Sequence, residues 1–317
     1  MNTGRPYNMI KFLVRSIPTK RLRPLLLVLL ITCADLPAEP ATINWAKARE
    51  PYRGIKTLAF KLEKPRLMRV ALMRIDLRTP RLRLVTTGRD ADWGKPMPDY
   101  PALPVATLRI TTAEFMRQAN SRGSGKSLGV MVAAFNAAPW QPWEKPFTHR
   151  YGKPLGLNIS NGEVVTDGNP ELPALVVWKN GSVEILDRVD REKVRLIREA
   201  VSGFCMIARN GKLLPDAGYS KGLMPRMAYG LSRDRRYLYV IAIDGRQEDW
   251  SLGATGSETG RLLLDAGAFD VINMDGGGSA TLCYWDRRKK QPRAMNRQSK
   301  DGYLRPVASN VGVILGR

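Results

Sequence analysis

The chain is poor in the residues on which most metal and nucleophile chemistry depends. Its 317 residues include one histidine, His149, and three cysteines, Cys33, Cys205 and Cys283. Zinc fingers need four Cys or His ligands in paired spacing, so that class is excluded. A Ser-His-Asp or Cys-His unit would rest on His149 alone, which turns attention to carboxylates and arginines. Acids are scarce too: 29 Asp and Glu face 51 Lys and Arg, a formal net charge of +22. Such a charge attracts nucleic acid, anionic lipid or phosphorylated glycans without choosing among them. There is no aromatic-rich RNA signature and no basic helix, which weighs against nucleic acid. Repeats, low-complexity tracts and charge deserts are absent from 54–317, and 44% of the residues are hydrophobic, as befits a folded globular chain.

Long apolar runs are missing as well. The one concentrated stretch, Pro24–Thr32, falls far short of the roughly 20 residues a membrane-spanning helix requires. It follows a basic region ending Lys20-Arg21-Leu22-Arg23 and precedes small residues at Cys33-Ala34 and Pro37-Ala38. These are the three parts of a secretory signal, so residues 1–38 are expected to be a leader and the protein to be exported: periplasmic, envelope-associated or secreted. Leu30-Ile31-Thr32-Cys33 resembles a lipoprotein acylation site, although Thr32 stands where a smaller residue is usual. A lipid there, or an uncleaved leader, would be the route to a membrane. Export also leaves open a disulfide between Cys205 and Cys283, which spacing alone neither makes nor forbids.

Residues 39–53 read as a linker and 54–317 as one α+β domain of mixed, hairpin-rich β-sheet with a few packed helices. Ile55–Leu62 and Leu67–Leu84 alternate apolar and polar residues, as strands with one wet face do. Thr111-Thr112-Ala113-Glu114 has capping-box spacing and opens a helix to about Asn120. Asn161-Gly162, Asn180-Gly181 and Asn210-Gly211 each lie between apolar runs and predict type I′ hairpins. Asp190–Ala200 has helical spacing. Met227–Leu231 and Tyr237–Ile243 form a further hairpin, Ser257–Ala266 a helix, and Val271–Met274 a strand. Gly123-Ser-Gly-Lys-Ser127 imitates the end of a phosphate-binding P-loop, but Asn120 stands where that motif needs a glycine, so a surface loop is expected.

The chemistry concentrates near the carboxyl end. Asp275-Gly276-Gly277-Gly278-Ser279-Ala280-Thr281 follows an apolar strand. Three glycines let backbone N–H groups converge into an anion- or sugar-sized nest, with Asp275 at its mouth and hydroxyls at Ser279 and Thr281. A tight turn capped by its own acid explains the same residues equally well. Asp244-Gly245-Arg246 repeats the arrangement after a second strand, and Glu258 stands at a helix start, where the dipole favours negative charge. Clustered carboxylates of this kind can also hold Ca²⁺ or Mg²⁺ through oxygen ligands. His149, Trp140 and Trp143 share an aromatic, proline-rich stretch for which core packing is the default and a sugar-stacking wall the alternative.

Asp244-Gly-Arg-Gln247, Glu258 and Asn273-Met-Asp-Gly-Gly-Gly-Ser-Ala-Thr281 together resemble the signature of the phosphodiester glycosidase family. The similarity extends through Val132–Trp140, Ser202-Gly-Phe204 and Pro225–Leu231, and downstream through Asn296 and Arg305-Pro-Val307. The chain departs from the family at Asn136-Ala-Ala-Pro-Trp140, where glycines and aromatics are common. The resemblance implies hydrolysis of a sugar-1-phosphodiester, for instance of N-acetylglucosamine, in polysaccharide or envelope metabolism, with a phosphorylated or phosphodiester-linked glycan as substrate. It implies that Asp275 or Glu258 is the nucleophile or water-activating base and Asp244 an orienting acid. Arg226 and Arg246 would hold phosphate, assisted by the backbone of Gly276, Gly277, Gly278 and Ser279, while Asn136 and Asn296 bind sugar or phosphate. A non-catalytic envelope protein binding a glycan or anionic polymer in the same pocket is the alternative.

Overall fold

The computed structural model describes residues 43–121, 129–145, 147–215, 222–298 and 302–316. The leader and the Gly123–Ser127 loop lie outside the described residues. The frame is an eight-stranded sheet in the order Arg49–Tyr52, Ile55–Leu62, Met68–Asp76, Tyr237–Ile243, Arg226–Leu231, Asp270–Asn273, Cys205–Arg209, Lys212–Leu213. Its first strand takes in residues expected to be linker, because Arg49–Tyr52 pairs with Ile55–Leu62 across the Gly54 turn. The folded part therefore begins before Gly54.

Two five-stranded sheets accompany it. One is ordered Gln291–Ala294, Leu282–Asp286, Val130–Asn136, Asn310–Leu315, Leu82–Thr86; the other Glu163–Thr166, Asn158–Ser160, Ile197–Ser202, Ala174–Trp178, Val183–Leu186. A small three-stranded sheet joins Thr107–Leu108, Tyr151–Pro154 and Trp140–Gln141. Every pairing between these strands is antiparallel, so the sheets are not mixed. Parallel neighbours need long crossovers, whereas many of these strands follow one another through short turns.

The central strands are buried on both faces, and their period of two sorts the side chains into two cores. Ala71, Met73 and Ile75 face the five-stranded sheets with Met227, Tyr229, Phe135 and Val313. Leu72 and Val70 face the other way, where helix α2 (Gly256–Ala266) lays Leu262 and Leu263 against Ile241 and Val271. Each of these leucines gains about 2 kcal/mol by burial. Helix α1 (Thr112–Ser121), capped by Thr111, covers the outer face of the first five-stranded sheet through Met116.

Two of the three Asn-Gly hairpins have both residues at positive φ, Asn161-Gly162 and Asn210-Gly211, as a type I′ turn demands. At Asn180 the side chain instead accepts from the Ser182 N–H and hydroxyl, and only Gly181 has positive φ. The helix expected over Asp190–Ala200 is a short 3₁₀ segment, Arg191–Leu196, followed by the strand Ile197–Ser202. That strand is inserted between two others, with Ile197, Ala200 and Val201 buried, so sheet packing overrides the helical spacing. Cys205 and Cys283 are both free thiols on different sheets.

Candidate active site

The strands ending at Asn136, Ile243 and Asn273, and those beginning at Arg226, Leu282 and Asn310, bring one end of the sheets together. The glycine loop crosses this end. It is pinned from three sides: the Asp275 N–H donates to the Ala137 carbonyl at 3.0 Å, the Gly277 N–H to Pro225 at 2.9 Å, and the Gln298 amide to the Ser279 carbonyl at 3.2 Å. Gly276 is required by the Pro225 approach, since a Cβ there would lie 2.7 Å from the Pro225 oxygen. The N–H groups of Gly277 and Ser279 are spent inside the fold, on Pro225 and Gly276. The loop is thus less of a backbone anion nest than its glycines imply.

Asn136 is the clamp beneath it. Its amide nitrogen donates to the Asp275 carbonyl at 2.7 Å, its amide oxygen accepts from the Thr281 N–H at 2.9 Å, and its own carbonyl accepts from the Tyr229 hydroxyl at 2.5 Å. Asn296 acts similarly on the far side, accepting from Leu282 N–H and donating to the Ala280 carbonyl at 2.8 Å. Both asparagines, expected to face substrate, have their side chains committed within the fold, to backbone and, for Asn296, also to Asp244.

Asp275 itself is buried, and burial drives its pKa from the ordinary 3.8 to about 7. The Ser279 hydroxyl, the Arg305 guanidinium and the Trp140 indole work against that rise by favouring the charged form. Ser279 and Trp140 turn their polar atoms to the Asp275 carboxyl without reaching good hydrogen-bond geometry, so Asp275 Oδ2, Ser279 Oγ and Trp140 Nε1 are three neighbouring buried polar atoms, each poorly satisfied. Poorly satisfied buried polar atoms are costly, and three at one place make this the candidate site.

Two guanidinium groups flank the loop. A Cβ on Gly278 would meet Arg305 Nη2 at 2.6 Å, so glycine lets that cation lie against the backbone. Arg246 Nη1 stands 3.6 Å from the corresponding position on Gly277. Arg305 stacks on Phe147, 4.6 Å from its ring centre, and has no ion pair among the described residues. The wall behind it is braced by buried Arg109, which lies 4.4 Å from the centre of the Trp140 ring. Arg109 donates to the carbonyls of Phe147, His149 and Pro306. Burial, with Arg305 nearby, lowers the Arg109 pKa to about 10. His149 packs edge-on against Tyr100 in the same wall, and Trp143 is exposed.

The other predicted acids are differently placed. Glu258 completes a capping box with Thr255 at the start of helix α2 and forms an ion pair with Arg66. Burial pushes its pKa up, but Arg66 and the Thr255 donors outweigh this and hold it below the usual value. Arg226 is buried beside it, donating to the Ala254 and Gly222 carbonyls, and burial followed by the nearby Arg246 lowers its pKa. Asp244 accepts from the Trp250 indole at 2.7 Å and from the Arg297 N–H at 2.8 Å, with Asn296 at 3.3 Å. Burial raises its pKa despite these donors. Asp244 lines a separate cavity of about 600 Å³ with Arg69, Trp250 and Arg297. Among the described residues no three His, Cys, Asp or Glu gather as a metal site. The residues that sequence did not single out are Arg305, Arg66 and Trp250; only Arg305 carried a signal, its place in Arg305-Pro-Val307.

A buried acid of raised pKa thus lies beside a glycine loop and two arginines. The phosphodiester glycosidase family profile matches residues 137–314, more than half of the chain, and the chain belongs to that family. No curated protein sequence matches it significantly. The fold is similar to that of the zebrafish N-acetylglucosamine-1-phosphodiester α-N-acetylglucosaminidase catalytic domain, auto-inhibited by its pro-peptide. That likeness has a TM-score of 0.56 and 17% identity over 85% of this chain and 86% of the other. A hypothetical protein from Synechocystis has TM-score 0.56 and 13% identity, over 85% of this chain and 63% of its own. A protein of Burkholderia pseudomallei, titled as an exported one, has TM-score 0.54 and 12% identity, over 78% and 74%. No helix among the described residues is long and apolar enough to cross a membrane.

Proposed function

We propose that the chain is an exported hydrolase that cuts the bond between a sugar's anomeric carbon and a phosphodiester oxygen. Water supplies the new hydroxyl of the sugar, and the bonding electrons leave with the phosphomonoester. An N-acetylglucosamine-1-phosphodiester, the substrate class in the zebrafish protein's name, is the first to try. The observation that carries the reading is the buried carboxyl of Asp275, its pKa raised to about 7, with Ser279 and Trp140 turned to it and the Arg305 guanidinium nearby.

The transition state of such a cleavage is oxocarbenium-like, so a carboxylate must meet the sugar side. The leaving phosphate needs charge stabilisation more than a proton, and arginine forks suit its oxygens. In this reading Asp275 works ionised, as the base that takes a proton from water or as the nucleophile. Arg305 and Arg246 hold the phosphodiester, Trp140 and Ser279 orient the sugar, and Asn136 fixes Asp275. Glu258 fixes Arg66 and the start of helix α2, and Asp244 with Asn296 anchors the neighbouring loop. The arginines supply the positive charge that Ca²⁺ or Mg²⁺ would otherwise bring.

Hydrolysis in water enriched in heavy oxygen tests the bond cleaved. Label in the sugar is the expected result. Label in the phosphomonoester would mean attack at phosphorus and would overturn the proposal, while binding without release would favour a glycan-binding role.

A further inference from the structure

The opposite end of the sheets carries a concentration of charge that the site does not use. Four turns meet there, 52–54, 77–81, 232–236 and 286–290. They hold ten Arg or Lys against two acids, Asp234 and Asp286, so +8 of the chain's +22 lies in a handful of residues. Contacts join them into one surface. Asp76 N–H donates to the Gly54 carbonyl and Leu77 N–H to Arg236, both at 2.8 Å, while the Tyr52 hydroxyl donates to the Trp285 carbonyl at 2.9 Å. Arg287 lies over the Tyr52 ring at 4.1 Å. Most of these cations are exposed, including all four of the run Arg287–Lys290. A cavity of about 450 Å³ opens among them, where Arg53, Lys56, Arg74 and Arg78 outnumber the two acids Glu50 and Asp76, the latter already paired with Arg236.

The strand Tyr237–Ile243 runs from this pole to the loop of Asp244, so the pole lies about 20 Å from the catalytic end. The described chain also starts alongside it. Trp45 stacks with Arg74 at 4.7 Å and donates its indole N–H to the Ala266 carbonyl at 2.9 Å.

We propose that this basic pole docks on an anionic phospholipid surface, leaving the glycine loop facing away from the bilayer. A broad pole built from four separate turns fits a plane of phosphates, and a headgroup fits the cavity between Arg53 and Arg78. Arg78, Arg235 and Arg236 are paired with Asp234, Glu184 and Asp76, and the seven other cations are enough for such attachment, since each Lys or Arg near an anionic leaflet strengthens binding about fivefold.

The full chain is sedimented with vesicles of phosphatidylcholine alone or mixed with phosphatidylglycerol, at low and high salt. The triple variant Arg288→Glu, Lys289→Glu, Lys290→Glu is compared with Arg78→Glu, Arg233→Glu, Arg235→Glu, and circular dichroism checks each fold. Wild type is expected to bind the phosphatidylglycerol vesicles more tightly, with the excess lost at high salt and reduced at least about tenfold in either variant. The leader is common to all three proteins and cannot produce that difference. Equal binding by wild type and both folded variants would overturn the proposal. So would capture of heparin without any binding to anionic vesicles.

Discussion

Ionising Asp275 works against the fold, and that conflict can be measured without any substrate. Its pKa rises from the ordinary 3.8 to about 7 because the carboxyl is buried. Between those values the folded chain keeps a proton that the unfolded chain releases. Stability from this group is therefore fully present below about pH 4, falls as pH rises to about 7, and is flat above. About three pH units correspond to roughly 4 kcal/mol. Asp275→Asn keeps the shape and removes the titration, while every other group titrates alike in both proteins. The variant's stability relative to wild type should increase by up to roughly 4 kcal/mol between about pH 4 and pH 8, on the order of 10 °C in Tm for a chain of this size. Thermal unfolding followed by circular dichroism at several pH values gives the difference directly. A difference that does not change with pH, or that shrinks toward alkaline pH, would refute the argument that burial dominates at Asp275.

Other consequences follow from the same contacts. Arg305→Ala should lower kcat about 10²- to 10³-fold with little change in Tm, and Arg305→Lys should recover part of it; steady-state kinetics and melting curves check both. Asn136→Ala leaves the Asp275 carbonyl and Thr281 N–H without their partners and should cost about 2 to 4 kcal/mol in chemical denaturation, with activity falling in step. Glu258→Gln should cost about 1 kcal/mol through the capping box and its Arg66 pair, and should leave the pH dependence of kcat unaltered if the acid only positions. A chelator should leave the hydrolysis rate unchanged, as measured by phosphomonoester release.

The sequence made the candidate site legible where chemistry and local structure coincide. Asp275, Ser279 and the three glycines stood out because they follow an apolar strand, although a tight turn explained them equally well, and the strands and hairpins around them were readable from alternation and turn residues. Arg305 was readable only as part of Arg305-Pro-Val307 and not as a site residue: it reaches Gly278 from 27 positions downstream, and the close approach to a missing Cβ reveals the pairing. Asn136 and Asn296 were visible as residues but not as clamps, because an amide's partners are set by which backbone the fold brings beside it. Asp190–Ala200 misled because helical spacing and a two-faced buried strand both place apolar residues densely. Glu258 read as a candidate acid on the same dipole argument that makes it a good capping residue, and only Arg66, 192 positions away, separates the two uses.

The central claim is that Asp275 acts on a sugar-1-phosphodiester. The most direct measurement is phosphomonoester and free-sugar release from a small panel of such compounds, including an α-linked N-acetylglucosamine one, by wild type and by Asp275→Asn. The account predicts release by wild type, rising with pH through about 7, and none above background from the variant. Release by Asp275→Asn at the wild-type rate would contradict it, as would a folded wild type that binds these compounds and cleaves none.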